Sequence, residues 1–139
     1  MTRVAKMAGV IHAATMMFGI RVALWCIPYP AVRGYLERRR DRRMRRPPIG
    51  ERVDPARIAR RVGLASAVIP RSTCLVRALV AEQLLAEAGL ESVLRLGVAN
   101  TSGAGLSAHA WIEHGGRVLV GGDISPFTAF EPTDRGKRS

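Results

Sequence analysis

The sequence predicts an α+β domain, a series of helices followed by a small antiparallel sheet. Three observations carry that expectation. Apolar residues recur at helical spacing up to Leu85, with prolines interrupting them as stops. After Gly89 the pattern turns extended, with Val93, Leu94, Leu96 and Val98 in the stretch from Ser92 to Ala99. The extended runs that follow are joined by Gly115 and Gly116, a connection too short for anything but antiparallel neighbours.

Residues 4 to 29 are apolar with small interruptions. The stretch from Met7 to Ile20 contains His12, and Arg21 follows where a membrane span would have its interior. A charge at that depth costs about 2.5 to 3.5 kcal/mol, so a clean span is disfavoured. Arg3 and Lys6 could open a signal peptide, but no convincing small-x-small cleavage site follows. The segment is read as a helix or two packed on the rest of the protein or on a partner, with membrane-surface association left open.

Pro28 and Pro30 end that helix, since each lacks an amide donor and disfavours helix at the residue before it. From Ala31 to Arg46 the arginines sit on a solvent-facing helix that stops at Pro47 and Pro48, and Pro47 to Gly50 reads as a linker. The chain thus divides into an apolar, then arginine-rich, helical segment (1–50), a core (51–131) and a disordered tail (132–139). Asp54 is a candidate N-cap with Pro55 at the first helical position, opening a helix through Ile58, Val62, Leu64 and Ala65 that ends before Pro70.

Ser72 or Thr73 can cap the next helix, whose first turn holds Cys74 and which Gly89 closes in the left-handed conformation. Cys74 shares a helical face with Ala78, Ala81 and Leu85, so that face should point inward. The thiol then meets the positive end of the helix, where the dipole and unpaired amides favour the anionic, nucleophilic form. Beyond the first strand come a polar loop (Asn100 to Gly105), a strand from Ala108 to Glu113 and another from Val118 to Asp123.

Net charge is +11, and the 29 residues from 33 to 61 contribute +8 of it, with twelve arginines against four acids. Such a stripe attracts an acidic peptide, a protein partner or anionic lipid, unless it is simply a solvated face. Nucleic acid is disfavoured: Tyr35 is the one aromatic in the run, and no nucleic-acid-binding motif accompanies it. The two cysteines, Cys26 and Cys74, lie in unlike surroundings, so neither a disulfide framework nor a metal site is suggested, and a cytoplasmic setting follows. No cofactor motif is present.

Cys74, His109 and Asp123 stand in the order a cysteine hydrolase needs. A three-residue hairpin loop of Gly115, Gly116 and Arg117 would pair His114 with Val118 and, counting outward, His109 with Asp123. A two-residue loop would turn Asp123 to the other face. Glu113 and His114 are rivals for acid and base. A cysteine on an apolar helix face is commonly inert, and Cys26 and His12 are read as core-packing residues.

The stretch PRSTCLVRALVAEQLLAEAGLESVLRLGVA, followed by SAHAWIEHGGRVLVGGD, resembles the transglutaminase-like cysteine peptidases of lasso-peptide biosynthesis, the leader peptidases of the microcin-processing type, over about residues 55 to 130. The resemblance implies a transglutaminase-like or papain-like core with N-terminal helices, in which Cys74 is nucleophile, His109 general base and Asp123 third member. In that family's pattern the acid lies nearer the histidine, close to Gly121 here, so Asp123 fits after a short shift. It also implies the job: removing the leader from a lasso precursor peptide so that a separate ATP-dependent macrolactam cyclase can close the ring. Residues 1 to 50 lack the strands of a leader-recognition domain, so the resemblance is to the split form. That form implies a small separate recognition protein, for which the N-terminal helices and basic stripe are candidate docking surfaces. A noncatalytic scaffold holding precursor and cyclase, and acyl transfer on the same triad, are the alternatives. Cytoplasmic location, with peripheral association at the membrane's inner face left open, completes the expectation.

Overall fold

The computed structural model describes residues 3–47, 53–69, 73–101, 105–122 and 124–129. Four helices, α1 (Arg3–Cys26), α2 (Tyr29–Met44), α3 (Pro55–Val68) and α4 (Cys74–Glu87), precede four strands, β1 (Val93–Thr101), β2 (Gly105–His114), β3 (Arg117–Val120) and β4 (Thr128–Ala129). The architecture is α+β as expected, with an open antiparallel sheet of order β3-β2-β1-β4.

Local signals place the helix ends. Asp54 accepts the amide of Ala56 at 2.9 Å and Thr73 accepts that of Val76 at 3.2 Å, so α3 and α4 each begin on a side-chain cap. Pro30 sits in the first turn of α2, where its missing donor costs nothing. At the end of α4 Gly89 takes φ +73, and Leu90 and Gly89 donate to the carbonyls of Leu85 and Ala86 at 2.8 and 3.0 Å, which is a Schellman stop.

The core forms around α4. Val76 and every residue from Ala78 to Ala86 are buried. Around them lie Ala13, Met17 and Ile20 of α1, Val32 and Leu36 of α2, Ile58, Val62 and Ala65 of α3, and Ala110 and Ile112 of β2. A helix enclosed on all sides is expected to be apolar all round, yet α4 carries Glu82 and Gln83, both fully buried.

The arginines of α2 explain this and correct the expectation of a solvent-facing basic helix. Arg33 donates to both oxygens of Glu82 at 2.6 and 3.1 Å, and Arg40 approaches the same carboxylate at 3.7 Å. Arg39 bonds Gln83 and Glu87, each at 2.9 Å, while Gln83 donates to the carbonyl of Leu36 at 2.9 Å. A buried carboxylate must be paired and hydrogen-bonded, and α2 supplies the partners. Burial by itself would lower the pKa of Arg33, but the hydrogen bond and charge of Glu82 outweigh it and raise the pKa above the ordinary value. Arg38, Arg42, Arg45 and Arg46 remain exposed. His12 and Cys26 are also exposed rather than packed in the core, His12 pairing with Glu87 at 2.9 Å and Cys26 ending α1.

The hairpin of β2 and β3 differs from the three-residue loop expected. His114 pairs with Arg117, so the loop is Gly115-Gly116, with φ +59 and +77. Two adjacent glycines permit the doubly left-handed turn whose twist matches the strands. An irregularity between Ile112 and Glu113 then shifts the register so that Ile112 faces Val120. That is the register a three-residue loop would have produced, reached by another route.

Candidate active site

Thr73 caps α4 and Cys74 is its first residue, so helix geometry leaves the amides of Cys74 and Leu75 without intrahelical acceptors. The Cys74 thiol is free and half-buried. It lines a cleft of about 230 Å³ together with Arg77, His109, Val120, Gly121 and Gly122. Cys74 and His109 therefore line one space, without a direct hydrogen bond between their side chains. Arg77 lies one helical turn after Cys74 and brings a cation to the cleft wall.

His109 reaches the cleft from β2. By alternation Ala110 and Ile112 point to the helices, while His109 shares the other face with Trp111 and Glu113. Among the described residues β3 pairs only with Ile112 to His114, so the ladder on that side of β2 has ended before His109. There the chain turns at Gly121 and Gly122, with φ +133 and +68, and the carbonyl of Gly121 lies 2.6 Å from His109 Nε2. A carbonyl only accepts, so Nε2 carries the proton and Nδ1 of the neutral ring is the basic nitrogen. Phe127 holds the ring from one side at a centroid distance of 4.9 Å, and Trp111 stacks at 6.0 Å.

Trp111 is 1% exposed and donates to Glu113 at 3.0 Å. Its ring occupies the space over Gly97, where an added Cβ would come within 2.7 Å of it. A Cβ on Gly121 would collide with the Cβ of Trp111. These two glycines let the tryptophan sit between strand and turn and so fix the wall behind His109.

The rivals are engaged elsewhere. Glu113 takes Trp111 and, at 3.4 Å, Arg95, while His114 bonds the carbonyl of Glu91 at 2.7 Å. Of the three residues singled out in the sequence, Cys74 and His109 come together in one cleft; Asp123 lies outside the described residues. Sequence reasoning missed the Gly121 carbonyl, Phe127 and Arg77. Helical spacing from Cys74 could have found Arg77, and the adjacent glycines at 121 and 122 mark a turn, but nothing near Phe127 advertised it. Among the described residues no group of three His, Cys, Asp or Glu could hold a metal ion.

Comparison with curated proteins and with solved structures finds no match. The family described as the transglutaminase-like superfamily matches residues 13–134, a span that includes α2, α3, α4 and all four strands. A superfamily that includes cysteine peptidases fits an α+β chain with a cysteine opening a central helix and a histidine on the adjoining sheet. The chain belongs to the transglutaminase-like superfamily.

Proposed function

We propose that this protein is a cysteine endopeptidase that removes the leader from a lasso-peptide precursor. The observation that carries the reading is the shared cleft of Cys74, at the start of α4, and His109, its ring oriented by the Gly121 carbonyl. In this reading His109 Nδ1 takes the thiol proton and Sγ attacks the scissile carbonyl carbon. The oxyanion develops beside the amides at the start of α4, those of Cys74 and Leu75 being the candidate donors. The imidazolium then protonates the leaving amine, which departs as the core peptide's new amino terminus. Water, deprotonated at Nδ1, hydrolyses the thioester and releases the leader as a free acid. Asp123 is the proposed third member, supporting the imidazolium.

The substrate class comes from the resemblance around Cys74 and His109, as do the partners: a small recognition protein that delivers the leader and a cyclase that takes the freed core. Purified protein, precursor and recognition protein, followed by mass spectrometry, test the reading. The wild type should release free leader acid, and Cys74→Ala should lower cleavage at least about a thousandfold with its thermal melt unchanged. Undiminished cleavage by that variant would end the proposal. An amide-linked adduct in place of leader acid would identify acyl transfer.

A further inference from the structure

Helix α1 turns one face to the core and leaves the opposite face apolar. Ala13, Met17 and Ile20 are buried against the other helices. Val4, Met7, Ile11, Phe18, Val22 and Trp25 point away from them and are 76, 63, 60, 60, 40 and 88% exposed. At 3.6 residues per turn these six fall in a sector about 60° wide, running about 32 Å along the helix. Their spacing keeps the period of a straight helix, so the stripe does not wind as the roughly 3.5-residue repeat of a coiled coil would. A straight stripe suits a plane.

The surroundings of the stripe are basic. Helix α1 contains Arg3, Lys6 and Arg21 and no acidic residue. On one flank a cleft of about 240 Å³ is lined by Lys6, Val10, Arg57, Arg60, Arg61 and Leu64, with no acid among them. On the other, across a groove from Thr15 and Gly19, Tyr35 is 54% exposed. Tyr35 opens a second cleft, with Arg39, Arg42, Arg43 and Arg46. An apolar ridge between two basic walls matches an anionic bilayer, with acyl chains under the ridge and phosphates at the walls. A second copy of the chain fits poorly, because a two-fold contact on this face would set basic wall against basic wall. A spanning α1 fits poorly too, since it would pull Ala13, Met17 and Ile20 out of the core.

We propose that α1 docks the folded domain in the plane of an anionic membrane, its outward stripe in the acyl region and the flanking arginines and Lys6 at lipid phosphates. The proposal does not rest on the peptidase reading. Flotation of the full chain with phosphatidylcholine vesicles, with or without phosphatidylglycerol, tests it. Partitioning should rise about tenfold or more with phosphatidylglycerol and fall at high salt. Phe18→Glu should lower it about tenfold or more, and Lys6→Glu with Arg60→Glu should remove the preference for the anionic lipid. All three substitutions lie on exposed positions, and an unchanged circular dichroism melt checks that the variants fold. Failure to float with phosphatidylglycerol, equal binding to both vesicles, or full binding by Phe18→Glu each overturns the proposal. So does resistance to alkaline carbonate extraction, which marks a span, or a dimer in solution that Phe18→Glu disperses. A recognition protein that binds the wild type and not Phe18→Glu, with vesicle binding unaffected, would give the stripe to a protein partner instead.

Discussion

At Gly121 the backbone takes φ +133, and a methyl group there would meet Trp111. Gly121→Ala must therefore move either the turn or the indole, and the turn carries the carbonyl that receives His109 Nε2. We expect a loss of about 1 to 3 kcal/mol in urea unfolding and, on the proposed activity, cleavage falling about tenfold or more. Gly97→Ala, whose methyl would meet the same indole without the backbone strain, should cost about 1 to 3 kcal/mol in the same measurement. A wild-type midpoint for either variant would contradict the packing described around Trp111. Cys74 and His109 were legible in sequence because a capped helix start and a period-two strand are local patterns. The acceptor for His109 was not legible, since a main-chain carbonyl has no residue type and its position depends on a turn and an irregular ladder.

Among the elements, α4 is held at both ends by local signals and in the middle by α2. Thr73→Ala should cost about 1 kcal/mol, the worth of a side-chain cap, read from chemical denaturation. Glu82→Ala leaves Arg33 facing a buried space without its bidentate partner and should cost about 3 to 5 kcal/mol. Replacing both, with Arg33→Met and Glu82→Leu, should recover much of that loss, because the desolvation of two charges disappears with them. Strong destabilisation of the double variant would show that the pair itself carries the stability. The pH dependence on the arginine side has a definite sign. A pKa raised in the folded state contributes stability that is fully present below the unfolded-state pKa and is lost only as pH rises past the folded one. Titration of Arg33 therefore leaves stability unchanged across neutral pH. Helix boundaries were legible at Pro28, Asp54, Thr73 and Gly89, whereas Pro30, expected to stop the first helix, lies inside the first turn of α2. The inward turn of Arg33, Arg39 and Arg40 was not, because a basic helix looks solvated until the acid it meets, 42 or more residues later, is folded against it.

For the molecule as a whole, the α+β class followed from periodicity, proline stops and a short glycine connection, all local signals, whereas the packing of α1 against α4 is a long-range fact. Ala13, Met17 and Ile20 belong to the same buried cluster as Leu79 and Ile112. A chain starting at Pro28 would leave that surface open, and we expect it to melt without the cooperative thermal transition expected of the full chain. A sharp melt in the shortened chain would instead make α1 dispensable to folding. The two-residue strand β4 was likewise invisible in sequence, being defined only by Gly97 and Val98 opposite Ala129 and Thr128. The hydrogen bond from His109 to a main-chain carbonyl has a last consequence, which concerns inheritance. No single codon spells that acceptor, so a lineage can exchange the side chains near the ring and still pass on the same imidazole tautomer, provided the bend at Gly121 is kept.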